Sequence, residues 1–180
     1  MGVVDKDRTI VIKLTNLLTA AAALALSVSA QAAPVEANPK AEAQALILLP
    51  LTLTKLSDLY FGTIIPSALS GVVIVPADGS APTAAGGVTL VASDPAYRAR
   101  FAGAGSPNQL VIVSATNPVL LANGSGSNVT ILALTLDGPS VRTIDAGRAF
   151  FFGVGGVLLV NANQPEGLYT AEFDVTADYL

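Results

Sequence analysis

The sequence contains no cysteine, no histidine and no tryptophan among its 180 residues. Without histidine or cysteine it cannot build a Ser-His-Asp or Cys-His catalytic arrangement, nor a zinc site of the usual ligands. Without cysteine no disulfide staples the fold, and a chain of this length can bury a sufficient core without one. Charge is scarce as well. Only 12% of residues are charged, and nine Lys and Arg against thirteen Asp and Glu leave a net charge of −4. A surface so poor in clustered basic residues does not suit nucleic acid, whose affinity comes from many phosphate contacts. Asp94, Asp137 and Asp145 stand alone in separate turns rather than in a run of calcium ligands, so turn formation is the preferred reading over metal binding. No cofactor, metal or catalytic residue is expected, and the chain is read as a non-enzyme.

What the sequence does have is apolar residues, 52% of the total, in a leader followed by many short runs. Residues 1–32 read as a secretory signal: Asp5, Lys6, Asp7, Arg8 and Lys13 form a charged start, Leu17 to Val28 an apolar core, and Ser29-Ala30-Gln31-Ala32 a small-residue cleavage region. That apolar core is too short to span a bilayer comfortably, and no later stretch is longer, so no membrane span is expected after the leader is removed. Residues 33–40 form a polar lead with Pro34 and Pro39, expected to be mobile.

From residue 41 to 180 the pattern is that of one β domain. The odd positions Ala41, Ala43, Ala45, Ile47, Leu49, Leu51 and Leu53 are all apolar, a period of two carried across Pro50, which marks an edge or a break between strands. Alanine propensity would also allow a helix over 40–48. Short β-branched runs follow at Val72–Val75, Val88–Ala92, Leu110–Ser114 and Val129–Leu136, each bounded by Gly, Pro, Asn or Asp. No long stretch keeps a 3.6-residue period. The spacing predicts an all-β fold, an antiparallel β-sandwich or barrel. Gly153-Val-Gly-Gly156 is not a dinucleotide fingerprint, because no βαβ unit surrounds it; it predicts a bulge or close backbone packing. At the end, Tyr169, Ala171, Phe173, Val175, Ala177 and Tyr179 alternate with Thr170, Glu172, Asp174, Thr176 and Asp178, predicting a strand with one wet face. The run 156–160 and this strand are expected to pair as a terminal hairpin across the turn-rich 161–167.

Three segments, 45–64, 154–160 and 167–179, together resemble the exported bacterial family called domain of unknown function 4402. The ends also resemble subunits of chaperone-usher pili, especially the archaic ones with spore-coat-U-like domains: Gly167 stands fourteenth from the end, Phe173, Val175 and Ala177 alternate, and Tyr179 is penultimate. That second resemblance implies an immunoglobulin-like sandwich in a Gram-negative bacterium, exported to the periplasm or cell surface. It implies a periplasmic chaperone and an outer-membrane usher as partners, and self-association into a fibre. Ala41, Ala43, Ala45, Ile47 and Leu49 would then form the donated strand, since ladder bonds supply affinity and alternate side chains fill a groove. Gly167, Tyr169, Phe173, Val175, Ala177 and Tyr179 would mark the strand beside which it inserts. The alternative is a monomeric periplasmic or secreted binding module, with carbohydrate as its example ligand. The low aromatic content of 6% leans against a carbohydrate site.

Overall fold

The computed structural model describes residues 34–118 and 120–180; the signal expected over 1–32 lies outside the described residues. Among the described residues there are ten strands and no helix: β1 (Thr52–Ser57), β2 (Ile64–Val75), β3 (Thr83–Leu90), β4 (Ala99–Ala104), β5 (Leu110–Ala115), β6 (Leu120–Ala122), β7 (Asn128–Leu136), β8 (Val141–Thr143), β9 (Ala149–Val160) and β10 (Val175–Tyr179). The runs of β-branched residues become strands because alternate side chains find a core. In β5, Val111 and Val113 are buried while Leu110 and Ile112 on the other face are exposed. The turns use the residues that tolerate a left-handed backbone, such as Gly79 (φ 87°) after β2 and Asn108 (φ 60°) before β5.

All pairings are antiparallel, and the fold is an immunoglobulin-like β-sandwich. The larger sheet has seven strands with β9 at its centre, and the smaller has three in the order β10-β5-β8. Val154 faces both Ala99 of β4 and Leu136 of β7, whereas Gly156 faces both Val75 of β2 and Leu134 of β7. A strand has only two edges, so β7 lies along one edge of β9 and β4 hands over to β2 along the other. This hand-over explains the glycines. A Cβ at Gly153 would lie 2.6 Å from the Ala77 carbonyl oxygen, and one at Gly155 would lie 2.5 Å from the Ala77 nitrogen and collide with the Val75 carbonyl oxygen. The chain leaving β2 crosses β9 where side chains would stand, which is the close packing the glycine run predicts.

The core forms two clusters. One holds Ala99, Phe101, Val111, Val113, Ile144, Phe150, Phe152 and Val154, and is sandwiched between the two sheets. Its rings stack, with Phe101 and Phe152 centroids 5.3 Å apart and Phe150 and Phe152 6.3 Å apart, a geometry that adds about 1 kcal/mol per pair beyond burial. The other holds Phe61, Val73, Val75, Val88, Val129, Ile131, Leu158 and Val160. The small sheet contributes nothing to it; loop residues including Leu59, Ala96 and Tyr169 cover it instead.

The expected terminal hairpin does not form. β9 already has partners on both edges, so it has no edge to offer the chain end. Residues 161–174 instead carry the chain to the other sheet, where β10 pairs with β5 from Val175↔Ala115 to Tyr179↔Val111. The last strand is also shorter than the alternation suggests: it begins at Val175, and Thr170 makes only an isolated bridge with Ala122.

Residues 34–45 belong to a unit separate from 46–180. The described part of that unit has neither helix nor strand and is exposed, with a Lys40–Glu36 contact at 3.9 Å. Residues 46–51 likewise hold no strand, and β1 starts just past Pro50. Neither the strand expected over 41–49 nor the helical alternative over 40–48 is present in the single chain.

Candidate assembly site

The C-terminal alternation acts as a row of half-buried side chains. Phe173, Val175, Ala177 and Tyr179 pack on the sandwiched core cluster, while Asp174, Thr176 and Asp178 face water. They are covered less completely than their neighbours in β5, where Val111 and Val113 are 0% and 1% exposed. The difference has a structural source: β10 ends its sheet, and β5 is its one ladder partner among the described residues.

The ladder tells which backbone groups are left over. Asp174 O accepts from Thr116 N at 2.9 Å, and Leu180 N donates to Leu110 O at 3.0 Å. In an antiparallel pair, bonded and non-bonded residues alternate. The even residues of β10 therefore bond to β5, and the N–H and C=O groups of Val175, Ala177 and Tyr179 point to the free edge. These same three residues send their side chains inward. The free edge thus combines an apolar interior face with ladder groups that pair with no described strand.

Across the opening stands β1, which pairs with β4 alone among the described residues. Leu51 and Leu53 reach from this side onto the same core cluster as Phe173 and Val175. The two sides are close enough to sense each other's charge. Lys55 has its pKa raised, first by its hydrogen bond from Nζ to Asp58 and in a smaller part by the carboxylate of Glu172. A bulge between Lys55 and Ser57 kinks β1, a common device at sheet edges.

Tyr179 pins one end of the opening. Its hydroxyl donates to Leu49 O at 2.8 Å and accepts from Ser106 N at 2.7 Å, and Ser106 Oγ accepts from Leu49 N at 2.7 Å. Gly105 makes room for this arrangement, since a Cβ there would meet the Tyr179 hydroxyl and lie 2.9 Å from Leu51 Cδ2. Among the donor residues read from the sequence, Leu49 is therefore anchored beside the C-terminal strand through its backbone. Ile47 is 90% exposed, and Ala41, Ala43 and Ala45 are exposed. Of the C-terminal residues, Phe173, Val175, Ala177 and Tyr179 come together, whereas Tyr169 serves the other core cluster. The Tyr169 hydroxyl donates to Pro165 O at 2.8 Å and accepts from Gln164 Nε2 at 2.9 Å. Gly167 has φ 148° and sits against Asn123. Sequence reasoning missed Ser106 and the contribution of Leu51 and Leu53 to the far side. The odd-position alternation through Leu53 was the available signal for the two leucines; Ser106 left none.

Away from the opening, the isolated acids have structural tasks. Asp137 accepts from Arg142 Nη2 at 2.8 Å and Gly153 N at 2.8 Å, with Arg98 Nη1 at 3.5 Å. Asp94 accepts from the Thr63 hydroxyl at 2.6 Å and the Tyr60 hydroxyl at 2.5 Å, which hold its carboxyl below the ordinary value. Asp145 caps its own turn through Ala149 N at 2.8 Å. Among the described residues no three acidic side chains gather as a metal site, and no helix is long and apolar enough to cross a membrane.

The family model described as "Domain of unknown function (DUF4402)" matches residues 51–179, which bears out the family resemblance read from the three segments. No curated protein and no solved structure matches the chain.

Proposed function

We propose that this chain, which belongs to the DUF4402 family, is a structural subunit of a bacterial surface fibre that joins its neighbours by strand donation. The observation that carries the reading is the free edge of β10, where the ladder groups of Val175, Ala177 and Tyr179 have no second strand among the described residues and their side chains line an incompletely covered core. An inserted strand would bond along that edge and lie between β10 and β1. Residues 41–49 have the composition for it, with every odd position apolar and the Ile47 side chain free in the single chain. Insertion into the next subunit gives a head-to-tail interface that does not close, and such an interface propagates. Export through the leader at 1–32, a periplasmic chaperone holding the β10 edge before assembly, and an outer-membrane usher belong to the same proposal.

A chain lacking residues 33–49 tests it. The expected product is a soluble subunit that cannot polymerise, or an unstable domain with an exposed core. Fibre formation by the truncated chain would rule out the segment as donor. A second reading, a monomeric binding module, draws on a cleft of about 420 Å³ floored by Phe61, Val129, Leu158 and Val160 beneath residues 164–169. It predicts a monomer whose first segment folds back on its own domain.

A further inference from the structure

Arg98 immediately precedes β4, and Arg100 is the second residue of that strand. Both line a cleft of about 440 Å³, together with Ser57, Gly79, Ser80 and Tyr97. The two ends of the Arg98 guanidinium are used differently. Nη1 donates to the Ala77 carbonyl oxygen and approaches Asp137, which fixes the group in place. Nε and Nη2, the edge whose parallel N–H bonds match a carboxylate, have no protein hydrogen-bond partner among the described residues. Gly79 leaves the face of the guanidinium beside this edge free of a side chain. A Cβ there would lie 3.2 Å from Cζ, 3.2 Å from Nε and 3.4 Å from Nη2, over the plane of the group rather than beyond its edge. Arg100 is exposed and has no ion-pair partner among the described residues. Tyr97 is 50% exposed and braced against Tyr60 at a centroid distance of 5.3 Å.

We propose that this cleft binds a carboxylate-bearing sugar, a uronic acid. The carboxylate sits on the Arg98 Nε/Nη2 fork with Arg100 beside it, and the apolar face of the pyranose ring packs on Tyr97. A single negative charge suits the site. Asp78 lies close enough for Arg98 to influence its carboxyl, and Asp137 is held on the opposite end of the guanidinium, so a doubly charged phosphate would meet two fixed carboxylates. The cleft volume falls within the usual range for small-ligand sites. The proposal is independent of strand donation, since the cleft lies within residues 57–100 and uses neither β10 nor residues 41–49.

The test is calorimetric titration of the leaderless protein with trigalacturonate and, separately, with its trimethyl ester, which keeps the rings and removes the charges. The acid should bind, and the ester should bind at least about tenfold more weakly, as expected for loss of a charge-assisted fork. Arg100→Gln should weaken acid binding about tenfold with an unchanged melting temperature, and Tyr97→Ser should weaken it while leaving the preference for acid over ester. Raising the salt concentration should weaken acid binding alone. Absence of trigalacturonate binding, equal binding of acid and ester, or full affinity in the Arg100→Gln protein would each overturn the proposal.

Discussion

Two adjacent residues separate strand donation from general stickiness. In the single chain Ile47 is 90% exposed and Leu46 is 76% exposed, so replacing either by serine should leave the stability of the monomer unchanged. On a donated strand successive side chains point to opposite faces, so Ile47 enters the opening between β10 and β1 of the next subunit while Leu46 faces water. Nearly the whole Ile47 side chain passes from solvent to core. Its loss removes about 2 kcal/mol of burial, which is about a 30-fold weaker junction. Leu46→Ser removes a side chain of similar size from the wet face and should change the junction by less than about 0.5 kcal/mol. Sedimentation velocity at matched concentrations, with circular dichroism melts as a control, reads both quantities. Ile47→Ser should shift the population strongly to monomer, and Leu46→Ser should sediment like the parent. If the two substitutions shorten the polymers equally, or if neither does, the alternating insertion is wrong.

Tyr179→Phe deletes the hydroxyl shared by Leu49 O and Ser106 N and should cost about 1 kcal/mol, read as a drop of a few degrees in melting temperature. Gly155→Ala places a Cβ against the Val75 carbonyl oxygen and Ala77 nitrogen, both backbone atoms, and should destabilise by about 3 kcal/mol. Gly124→Ala, with nothing within 4 Å but φ 72°, should cost about 1 kcal/mol; similar calorimetric losses for the two would refute the crossing of β9. The Thr63 and Tyr60 hydroxyls lower the Asp94 pKa from 3.8, so this contribution is complete above that value and is lost as pH falls through the folded one. The bond to Asp94 raises the Tyr60 pKa from 10.0, so that contribution is complete below 10.0 and is lost as pH rises through the folded value. NMR titration should place the two transitions outside the 3.8–10.0 window, and Asp94→Asn should return Tyr60 towards its ordinary value.

The strand content of this fold was readable because β-branched runs and turn residues act locally, and Val72–Val75 or Leu110–Ser114 carry their own signal. The inward set at Phe173, Val175, Ala177 and Tyr179 was readable for the same reason. Pairing was not, because it is decided by which edges remain free. Nothing within 156–180 reveals that β9 is already flanked by β2, β4 and β7, and that β10 must seek β5 some sixty residues earlier. The Asp137 cluster was hidden in the same way, since Arg98, Arg142 and Gly153 meet it only after three separate connections fold together. The glycines at 153 and 155 announced close packing but not the segment that crosses them. Pro50 marked a break, and β1 does begin two residues beyond it, yet the same alternation on its N-terminal side forms no strand among the described residues, because no neighbouring strand of this chain lies along it.

The most direct test of strand donation is the mature protein from cells and from their sheared surface fraction, run on an SDS gel with and without boiling. Strand-exchanged subunits separate only by unfolding, which is slow. The account predicts a ladder in the unboiled lanes that collapses to one band on boiling; a single monomer band in both would contradict it.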